Sequence, residues 1–198
     1  MVRRQLITGV LMTVVLTVLL GVAYPLVVTG IAQAAFPGRA NGTLVTNGNN
    51  VIGSALIGQS FTGADGQPLA QYFQPRPSAA GKAGYDPTAS GGSNLGPSDA
   101  SLVRIVTDRV IAYRAFNGLD VNALVPVDAV TASGSGLDPD ISPANAYDQV
   151  GRVSRARHLD PGTVRRLVDS HRNPRPWGFL GEPTVNVVAL NLALDRIR

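Results

Sequence analysis

Apolar residues are concentrated at the start of the chain, in a segment without charge. Seventeen of the 23 residues from 6 to 28 are apolar, and no residue between Arg4 and Arg39 is charged. As a helix rising about 1.5 Å per residue, this segment reaches about 34 Å, enough to cross a hydrocarbon core of about 30 Å. The pattern predicts one transmembrane helix over residues 6–28. Residues 29–36 can continue it beyond the lipid, and Pro25 is expected to kink its outer end.

A cleaved signal peptide is the alternative interpretation of this segment. Residues 1–5 form a basic start, and residues 32–34 read Ala-Gln-Ala, which fits a cleavage site. The apolar stretch is longer than the roughly 7–15 residues usual in signal peptides, which favours a retained anchor. By the positive-inside rule, residues 1–5 stay in the cytoplasm and residues 37–198 face the outside. We therefore expect a single-pass protein of the inner or plasma membrane.

Small or hydroxyl-bearing residues, with one proline, recur at every fourth position of the predicted anchor. Four-residue spacing places them on one slowly drifting helix face. Such a row lets another helix backbone approach closely, and threonine hydroxyls can bond across the contact. The alternative is the ordinary abundance of Gly and Thr in membrane helices. We expect an integral membrane partner along this stripe, which consists of Gly9, Thr13, Thr17, Gly21 and Pro25.

The remaining residues, 37–198, alternate between short apolar runs and loops rich in Gly, Ser and Pro, which predicts a single exported α+β domain. Predicted strands cover residues 43–46, 51–57, 71–74 and 185–188, with a turn at 47–50. Predicted helices run from Ser98 or Asp99 to Asn117, and over residues 143–157, 161–171 and 190–197. Ser142 and Asp160 are the expected caps of the second and third helices. The first helix is expected to bury Leu102, Val103, Val106, Val110 and Tyr113.

Two long polar loops interrupt this pattern, at residues 75–97 and 131–142. Connections of this length without secondary structure are usually functional or loosely ordered. Composition adds one restriction, because the chain has no cysteine and therefore no disulfide or thiolate metal site. Residues 152–175 carry seven arginines and two aspartates. This basic segment could bind lipid head groups or an acidic partner. The ordinary explanation is that the arginines lie on solvated helix faces. The net charge of only +2 over residues 37–198 argues against nucleic-acid binding.

Catalytic motifs are incomplete in this sequence. Residues 91–96 have the glycine spacing of a phosphate-binding loop, but Pro97 stands where lysine is required. The serine hydrolase elbow needs the pattern G-x-S-x-G, and the Ser-Gly-Ser-Gly run at 133–136 does not fit it. His158 and His171 are expected at the surface, and Asp138 and Asp140 in a turn. We therefore assign no catalytic residue and no metal site.

Motifs along nearly the whole chain closely resemble the C subunit of the Kdp-type potassium-transporting ATPase, the KdpC family. The matching segments occur in the family's order, and no segment is missing. They are residues 21–26, 40–44, 52–59, 72–79, 85–87, 92–97, 125–128, 131–139, 141–143, 180–183, 185–187 and 190–195.

This resemblance implies an accessory, non-catalytic subunit of a high-affinity potassium uptake pump. Its partners would be a channel-like subunit that binds potassium and a P-type ATPase subunit that carries the phosphorylated aspartate. The family is also described as a catalytic chaperone that raises the ATP affinity of the pump subunit. The element proposed for that role corresponds here to residues 131–137. Its nucleotide candidates are Ser133, Gly134, Ser135 and Gly136.

Topology opposes direct contact with ATP, because an external domain lies across the membrane from the nucleotide. We therefore expect no firmly bound cofactor, with ATP reached through the pump subunit. The alternatives to a pump subunit are a membrane-anchored exported hydrolase and a solute-binding module. At least one long loop is expected to face the potassium-binding subunit, unless both loops simply pack on their own domain. The interface candidates in these loops are Tyr85, Ser93, Asn94, Leu95, Gly96 and Ser135.

Overall fold

The computed structural model describes residues 2–47 and 50–197. They form two compact units, Met1–Ile52 and Gly53–Arg198. The mixture of helices and short strands confirms the predicted α+β class. The first unit contains the apolar helix, and the second contains the hydrophobic core.

The predicted anchor is a continuous helical span from Val2 to Ala35, long and apolar enough to cross a membrane. It comprises α1 (Val2–Val18), a π-helical turn (Leu19–Ala23) and α2 (Tyr24–Ala35). Pro25 is the second residue after the π turn. Since proline lacks an N–H and crowds the preceding turn, the wider π geometry accommodates it without breaking the helix. The helix therefore does continue past residue 28, as predicted.

A short helix and a two-stranded sheet follow the span. They are α3 (Pro37–Ala40), β1 (Leu44–Asn47) and β2 (Asn50–Ser54). The predicted strand 51–57 therefore ends early, because residues 55–57 form a turn. Residues 48 and 49, the centre of the turn expected at 47–50, lie outside the described residues.

Side-chain capping sets the starts of the main helices of the second unit. These helices are α4 (Ala100–Asn117), α6 (Pro143–Arg157) and α7 (Pro161–Ser170), with the short α5 (Val127–Val130) between the first two. Asp99, Ser142 and Asp160 each accept a backbone N–H of their own first turn, as predicted. The short α5 was not predicted.

A three-stranded antiparallel sheet completes the second unit, in the order β3, β5, β4. The strands are β3 (Asp140–Ile141), β4 (Arg172–Asn173) and β5 (Thr184–Asn186). The last helix, α8 (Val187–Asp195), starts directly after β5, because the Asn186 side chain accepts the Ala189 N–H at 3.0 Å. The prediction of a strand over 185–188 is therefore wrong at its end, and the predicted loop 131–142 ends in β3.

Helices α6, α7 and α8 pack with the sheet around a core of mostly β-branched residues. The core also includes Phe73, which comes from an irregular segment and is fully buried. Its other members are Ile141, Ala146, Val150, Val153, Val164, Val168, Val185, Val187, Leu190 and Leu194.

The prediction of a strand over residues 71–74 is wrong, because side chains rather than a second strand pair with the backbone of this segment. The amide of Asn191 accepts the Phe73 N–H and donates to the Phe73 carbonyl, both at 2.9 Å. Gln149 pairs in the same way with Gln74, at 2.7 and 3.1 Å. These two amides satisfy the backbone as a neighbouring strand would. They fix the start of the loop that begins at residue 75.

Arg152 belongs to this clamp, so solvated helix faces do not explain all of the basic segment 152–175. It is 4% exposed and donates to the carbonyls of Ala70 at 2.5 Å and Tyr72 at 2.9 Å. Burial lowers the pKa of Arg152 to about 10, so it remains charged at neutral pH. The prediction of a buried face on α4 is wrong in degree, because Leu102, Val106, Val110 and Tyr113 are only half-buried and Val103 is 59% exposed.

Candidate functional site

The two long loops lie against each other and form one ordered surface, here called the two-loop platform (residues 75–97 and 131–142). Several hydrogen bonds join them directly, and three of these involve Ser78 or Ser135. The Ser78 hydroxyl donates to the Gly136 carbonyl at 2.6 Å, and the Ser135 carbonyl accepts from the Gly91 N–H at 2.8 Å and the Ser90 hydroxyl at 3.0 Å. The structure therefore brings together the two segments in which the interface candidates were predicted.

Ser78 organises the first loop from inside. Its hydroxyl oxygen accepts the N–H groups of Ala80 at 3.1 Å and Tyr85 at 2.8 Å. Tyr85 has a left-handed backbone (φ +57°), and its phenol donates to the Arg76 carbonyl at 2.8 Å. Burial and the nearby Asp138 raise the pKa of Tyr85, so the phenol stays protonated as a donor. Tyr85 is therefore a half-buried support of the platform.

An ion pair closes the other side of the platform. Arg76 lies 3.0 Å from the Asp138 carboxylate and also donates to the Ala132 carbonyl at 3.4 Å. The second oxygen of Asp138 accepts the Asp140 N–H at 3.0 Å, which is the turn chemistry expected there. Because Arg76 follows the clamped segment, the clamp on Phe73 and Gln74 also positions this ion pair.

Two glycines two residues apart have opposite environments in the second loop. Gly136 has φ +67°, and a Cβ added there would lie 2.6 Å from the Gly91 carbonyl oxygen and 2.8 Å from Ala80. Gly134 has nothing within 4 Å of such an atom. Only glycine fits at 136, because the backbone conformation and the close contact both exclude a side chain.

The predicted nucleotide candidates are divided by this packing. Ser133 and Gly136 are buried, whereas Gly134 and Ser135 are exposed. The Ser135 carbonyl already accepts two bonds from the other loop, and its hydroxyl accepts the Leu137 N–H at 3.1 Å. Much of the hydrogen-bonding capacity of the tetrapeptide is therefore used within the domain.

The outer surface of the platform is polar. Of the predicted interface residues in the first loop, Ser93, Asn94 and Gly96 are exposed, and Leu95 and Tyr85 are half-buried. Asn94 has φ +54°, a conformation that asparagine tolerates better than most residues. Ser93, Asn94, Gly134 and Ser135 thus present small polar groups from both loops on a fixed backbone.

A separate cleft of about 620 Å³ borders α4, α6 and the clamped segment. Tyr113, Phe116, Arg109 and Gln149 are among its lining residues. Gln149 uses both ends of its amide in the clamp, and the Arg109 guanidinium donates to the Val130 carbonyl at 2.9 Å. Burial lowers the pKa of Arg109 and raises that of Tyr113. Arg109 and Tyr113 both use their polar atoms in hydrogen bonds within the domain, so the cleft offers structural polar groups rather than a proton-transfer pair.

The stripe on the anchor has open space beside its small residues. A Cβ at Gly9 would meet nothing within 4 Å, and one at Gly21 would lie 3.9 Å from the Thr17 methyl group, which places Gly21 and Thr17 on one face. In an α-helix, each residue of such a row is rotated by about 40° around the helix axis relative to the one four positions earlier. The wider π turn before Pro25 reduces this rotation. The Thr13 hydroxyl donates to the Gly9 carbonyl at 2.9 Å, so across a helix contact it would act as an acceptor.

No group of three or more His, Cys, Asp or Glu side chains suited to a metal occurs in residues 2–47 and 50–197. His158 is exposed and ends α6, and the His171 ring lies 2.9 Å from the Leu167 carbonyl. His158 therefore lies at the surface as expected, whereas His171 is half-buried at the end of α7.

The sequence matches the family described as "KdpC: K+-transporting ATPase, c chain" over residues 6–196. It is 53% identical over 195 residues to a potassium-transporting ATPase KdpC subunit of Mycobacterium tuberculosis, covering 98% of this chain and 100% of that protein. A protein of the same name from Gemmatimonas aurantiaca is 50% identical over 194 residues, covering 98% and 94%. One from Acidobacterium capsulatum is 51% identical over 195 residues, covering 98% and 99%.

Proposed function

The chain belongs to the KdpC family, the c chains of K⁺-transporting ATPases, and we propose that it is the accessory, non-catalytic subunit of a high-affinity, ATP-driven potassium uptake pump. The observation that carries this proposal is the match over 98% of the chain, which includes both the anchor and the folded unit. Its partners would be the potassium-binding, channel-like subunit and the P-type ATPase subunit of the same pump.

The proposed topology has residues 1–5 in the cytoplasm, one membrane crossing, and residues 37–198 outside. The helical span from Val2 to Ala35 carries charge only at Arg3 and Arg4, near its start, and this asymmetry supports the orientation. At about 1.5 Å per residue, a 34-residue helix is longer than the roughly 30 Å hydrocarbon core. The end of α2 would then lie beyond the lipid, next to the external surface of the partners.

Within the membrane, the anchor would pack on the potassium-binding subunit along the stripe from Gly9 to Pro25. Open space at Gly9 and the alignment of Gly21 with Thr17 support this, because close backbone contact needs small side chains on one face. Association in lipid depends on such packing, since the hydrocarbon surroundings give no hydrophobic driving force between helices.

Outside the membrane, the two-loop platform would contact the potassium-binding subunit near its external entrance. The hydrogen bonds of Ser78 and Ser135 and the Arg76–Asp138 pair hold both loops before any partner binds. A preformed surface binds without the entropy cost of ordering loops. Its small exposed polar groups, at Ser93, Asn94, Gly134 and Ser135, would allow close contact with a partner backbone.

A chaperone effect on ATP affinity would act through the pump subunit rather than through nucleotide bound at residues 133–136. The buried positions of Ser133 and Gly136 and the occupied carbonyl of Ser135 support this indirect route. Tight nucleotide binding by the purified chain, abolished by substitutions at Ser133 and Ser135, would contradict it.

Purification of the tagged chain from its native membranes in mild detergent tests the proposed function. A pump subunit should co-purify with two larger membrane proteins and with potassium-stimulated ATPase activity. Recovery of the chain alone, with hydrolase activity or a bound solute, would instead support an exported enzyme or a solute-binding module.

A further inference from the structure

The loop that joins β4 to β5 is exposed over nearly its whole length. The two strands pair antiparallel, with Arg172 opposite Val185 and Asn173 opposite Thr184, so residues 174–183 form the end of a hairpin. We call these ten residues the hairpin tip. Every residue from 172 to 182 is exposed, in contrast to Val185 just beyond, which is fully buried.

Three large apolar side chains of the hairpin tip face solvent. Trp177 is 83% exposed, Phe179 69% and Leu180 43%. Full burial of such a side chain is worth about 1.5–3 kcal/mol, so leaving three exposed on one short loop forgoes a substantial stabilisation. Exposed apolar groups that lie together in this way mark surfaces that contact something else.

The hairpin tip is an ordered turn. An Arg175–Glu182 ion pair of 2.6 Å spans it, and the Leu180 N–H donates to the Pro176 carbonyl at 3.1 Å. Trp177 has a left-handed backbone (φ +53°), which is rare for a bulky residue and costs about 1–2 kcal/mol. The fold thus holds an indole in solvent at an energetic cost, and strain of this kind is typical of binding positions.

Positive charge lies beside these apolar groups. A hollow of about 460 Å³ at the hairpin tip is lined by Arg172, Arg175 and Glu182, together with Pro174, Gly178 and Pro183. Since Glu182 pairs with Arg175, the hollow keeps a net charge of one positive unit. A guanidinium in an open hollow beside apolar side chains suits a phosphate group attached to a hydrocarbon body.

We propose that the hairpin tip is a lipid-contact loop, in which Trp177, Phe179 and Leu180 enter the interface of a phospholipid bilayer and Arg172 and Arg175 bind its phosphate groups. Tryptophan concentrates at membrane interfaces, and arginines near an anionic surface contribute about 1 kcal/mol each. Apart from the side chains of the hairpin tip, this contact requires only the membrane anchor. It does not depend on which pump subunit each loop of the platform contacts.

A bilayer fits the hairpin tip better than a protein partner does, because of area. A stable protein interface needs about 800 Å² and roughly 20–30 residues on each side, which ten residues cannot supply alone. A lipid surface needs no matching shape. The helix from Val2 to Ala35 also tethers the chain to a bilayer, so even a contact of three side chains occurs at high effective concentration.

Trp177 is the single tryptophan of the chain, so intrinsic fluorescence reports on the hairpin tip directly. The test uses the full chain in nanodiscs of phosphatidylcholine and phosphatidylglycerol, with ordinary or brominated acyl chains. Bromine quenches tryptophan only on contact. We expect blue-shifted emission that falls roughly twofold or more in brominated nanodiscs, as for an interfacial indole. Emission typical of indole in water, equal in both kinds of nanodisc, would overturn the proposal.

The assembled pump gives the second arm of the test. The emission of Trp177 in the pump is the difference between the pump and its Trp177→Phe variant. Quenching of this difference by brominated lipid supports the bilayer as the ligand. Protection of Trp177 from aqueous acrylamide in the pump, without quenching by brominated lipid, would assign the hairpin tip to a partner subunit and overturn the proposal.

Matched variants separate insertion from general effects on the protein. Phe179→Ser combined with Leu180→Ser should abolish most quenching while the reporter remains. Leu124→Ser should leave quenching unchanged, although Leu124 is 93% exposed and equally apolar. Arg172→Gln should remove the excess quenching seen in phosphatidylglycerol over pure phosphatidylcholine. Equal quenching in all three variants would show that the hairpin tip does not carry the contact.

Discussion

Gly136 lies so close to the carbonyl of Gly91 that a side-chain carbon at 136 would lie 2.6 Å from that oxygen. The two residues belong to different loops, 45 positions apart in the chain. Their contact, with the Ser78 hydroxyl on the Gly136 carbonyl, is what makes the two loops one platform. The two-loop platform therefore depends on the absence of a side chain at Gly136, which lets the two loops pack against each other.

Gly136→Ala should separate the loops. A methyl group at φ +67° is strained, and here it also overlaps backbone atoms, so we expect a loss of about 2–4 kcal/mol in the free energy of unfolding. Gly134→Ala is the matched control, because its methyl group would enter open space, and its effect should be below about 1 kcal/mol. Thermal unfolding of both variants measures the difference. Equal stability of the two would mean that the loops are not packed as described.

Asn191→Leu should destabilise the domain by about 2–5 kcal/mol. Leucine has a similar size but leaves the buried N–H and carbonyl of Phe73 without partners, and each such group costs about 1–3 kcal/mol. Asn122→Leu, at an exposed position, is the control and should change stability by no more than about 0.5 kcal/mol. Urea unfolding followed by circular dichroism checks both. A small effect at Asn191 would show that the clamp does not hold residues 71–74.

Thr13→Leu combined with Thr17→Leu should weaken assembly of the pump without preventing membrane insertion, because leucine favours the bilayer but blocks close helix contact. Val15→Leu adds bulk on the opposite face of the helix and is the control. Co-purification yield with the partner subunits is the measurement. Full yield from the threonine variant would show that the stripe is not an interface.

The absence of native cysteine makes the membrane topology directly testable. A cysteine at Ser93, which is exposed, should react with a membrane-impermeant maleimide added outside spheroplasts. A cysteine at Val2 should react only after permeabilisation. The reverse pattern would invert the proposed orientation, and labelling of a chain that lacks its first residues would favour a cleaved signal peptide.

Local chemistry made much of the fold predictable from the sequence. Asp99, Ser142 and Asp160 cap the three helices that their positions predicted, because capping depends on only three or four neighbouring residues. The anchor was predictable from composition for the same reason. Apolar length alone decides whether a helix can cross a bilayer.

Long-range pairing explains the parts that sequence reasoning missed. The sequence of residues 71–74 predicts a strand, but the backbone of Phe73 and Gln74 pairs with the side chains of Asn191 and Gln149, 118 and 75 positions away. Asn191 is nevertheless conspicuous as the one polar residue of α8 before Asp195. Arg152 follows Gln149 by three positions on α6, so one buried face carries both. A polar residue on an apolar face is thus a usable signal of a backbone clamp.

Whether the two loops are packed or flexible could not be predicted from the sequence either. Glycine and serine in residues 75–97 and 131–142 are compatible with flexible connections or with a packed surface. Which of these applies depends on whether Ser78 meets Gly136, and that contact spans 58 positions. Composition located the candidate site, and tertiary contacts determined which of its residues are exposed.

Site-specific photo-crosslinking in the assembled, active pump tests the central claim most directly. A photoreactive amino acid at Ser93 or Gly134, on the exposed surface of the two-loop platform, should form adducts with the potassium-binding subunit. The same amino acid at Arg166, exposed on α7, serves as the control and should not. Adducts from Arg166 with none from either platform position would contradict the account.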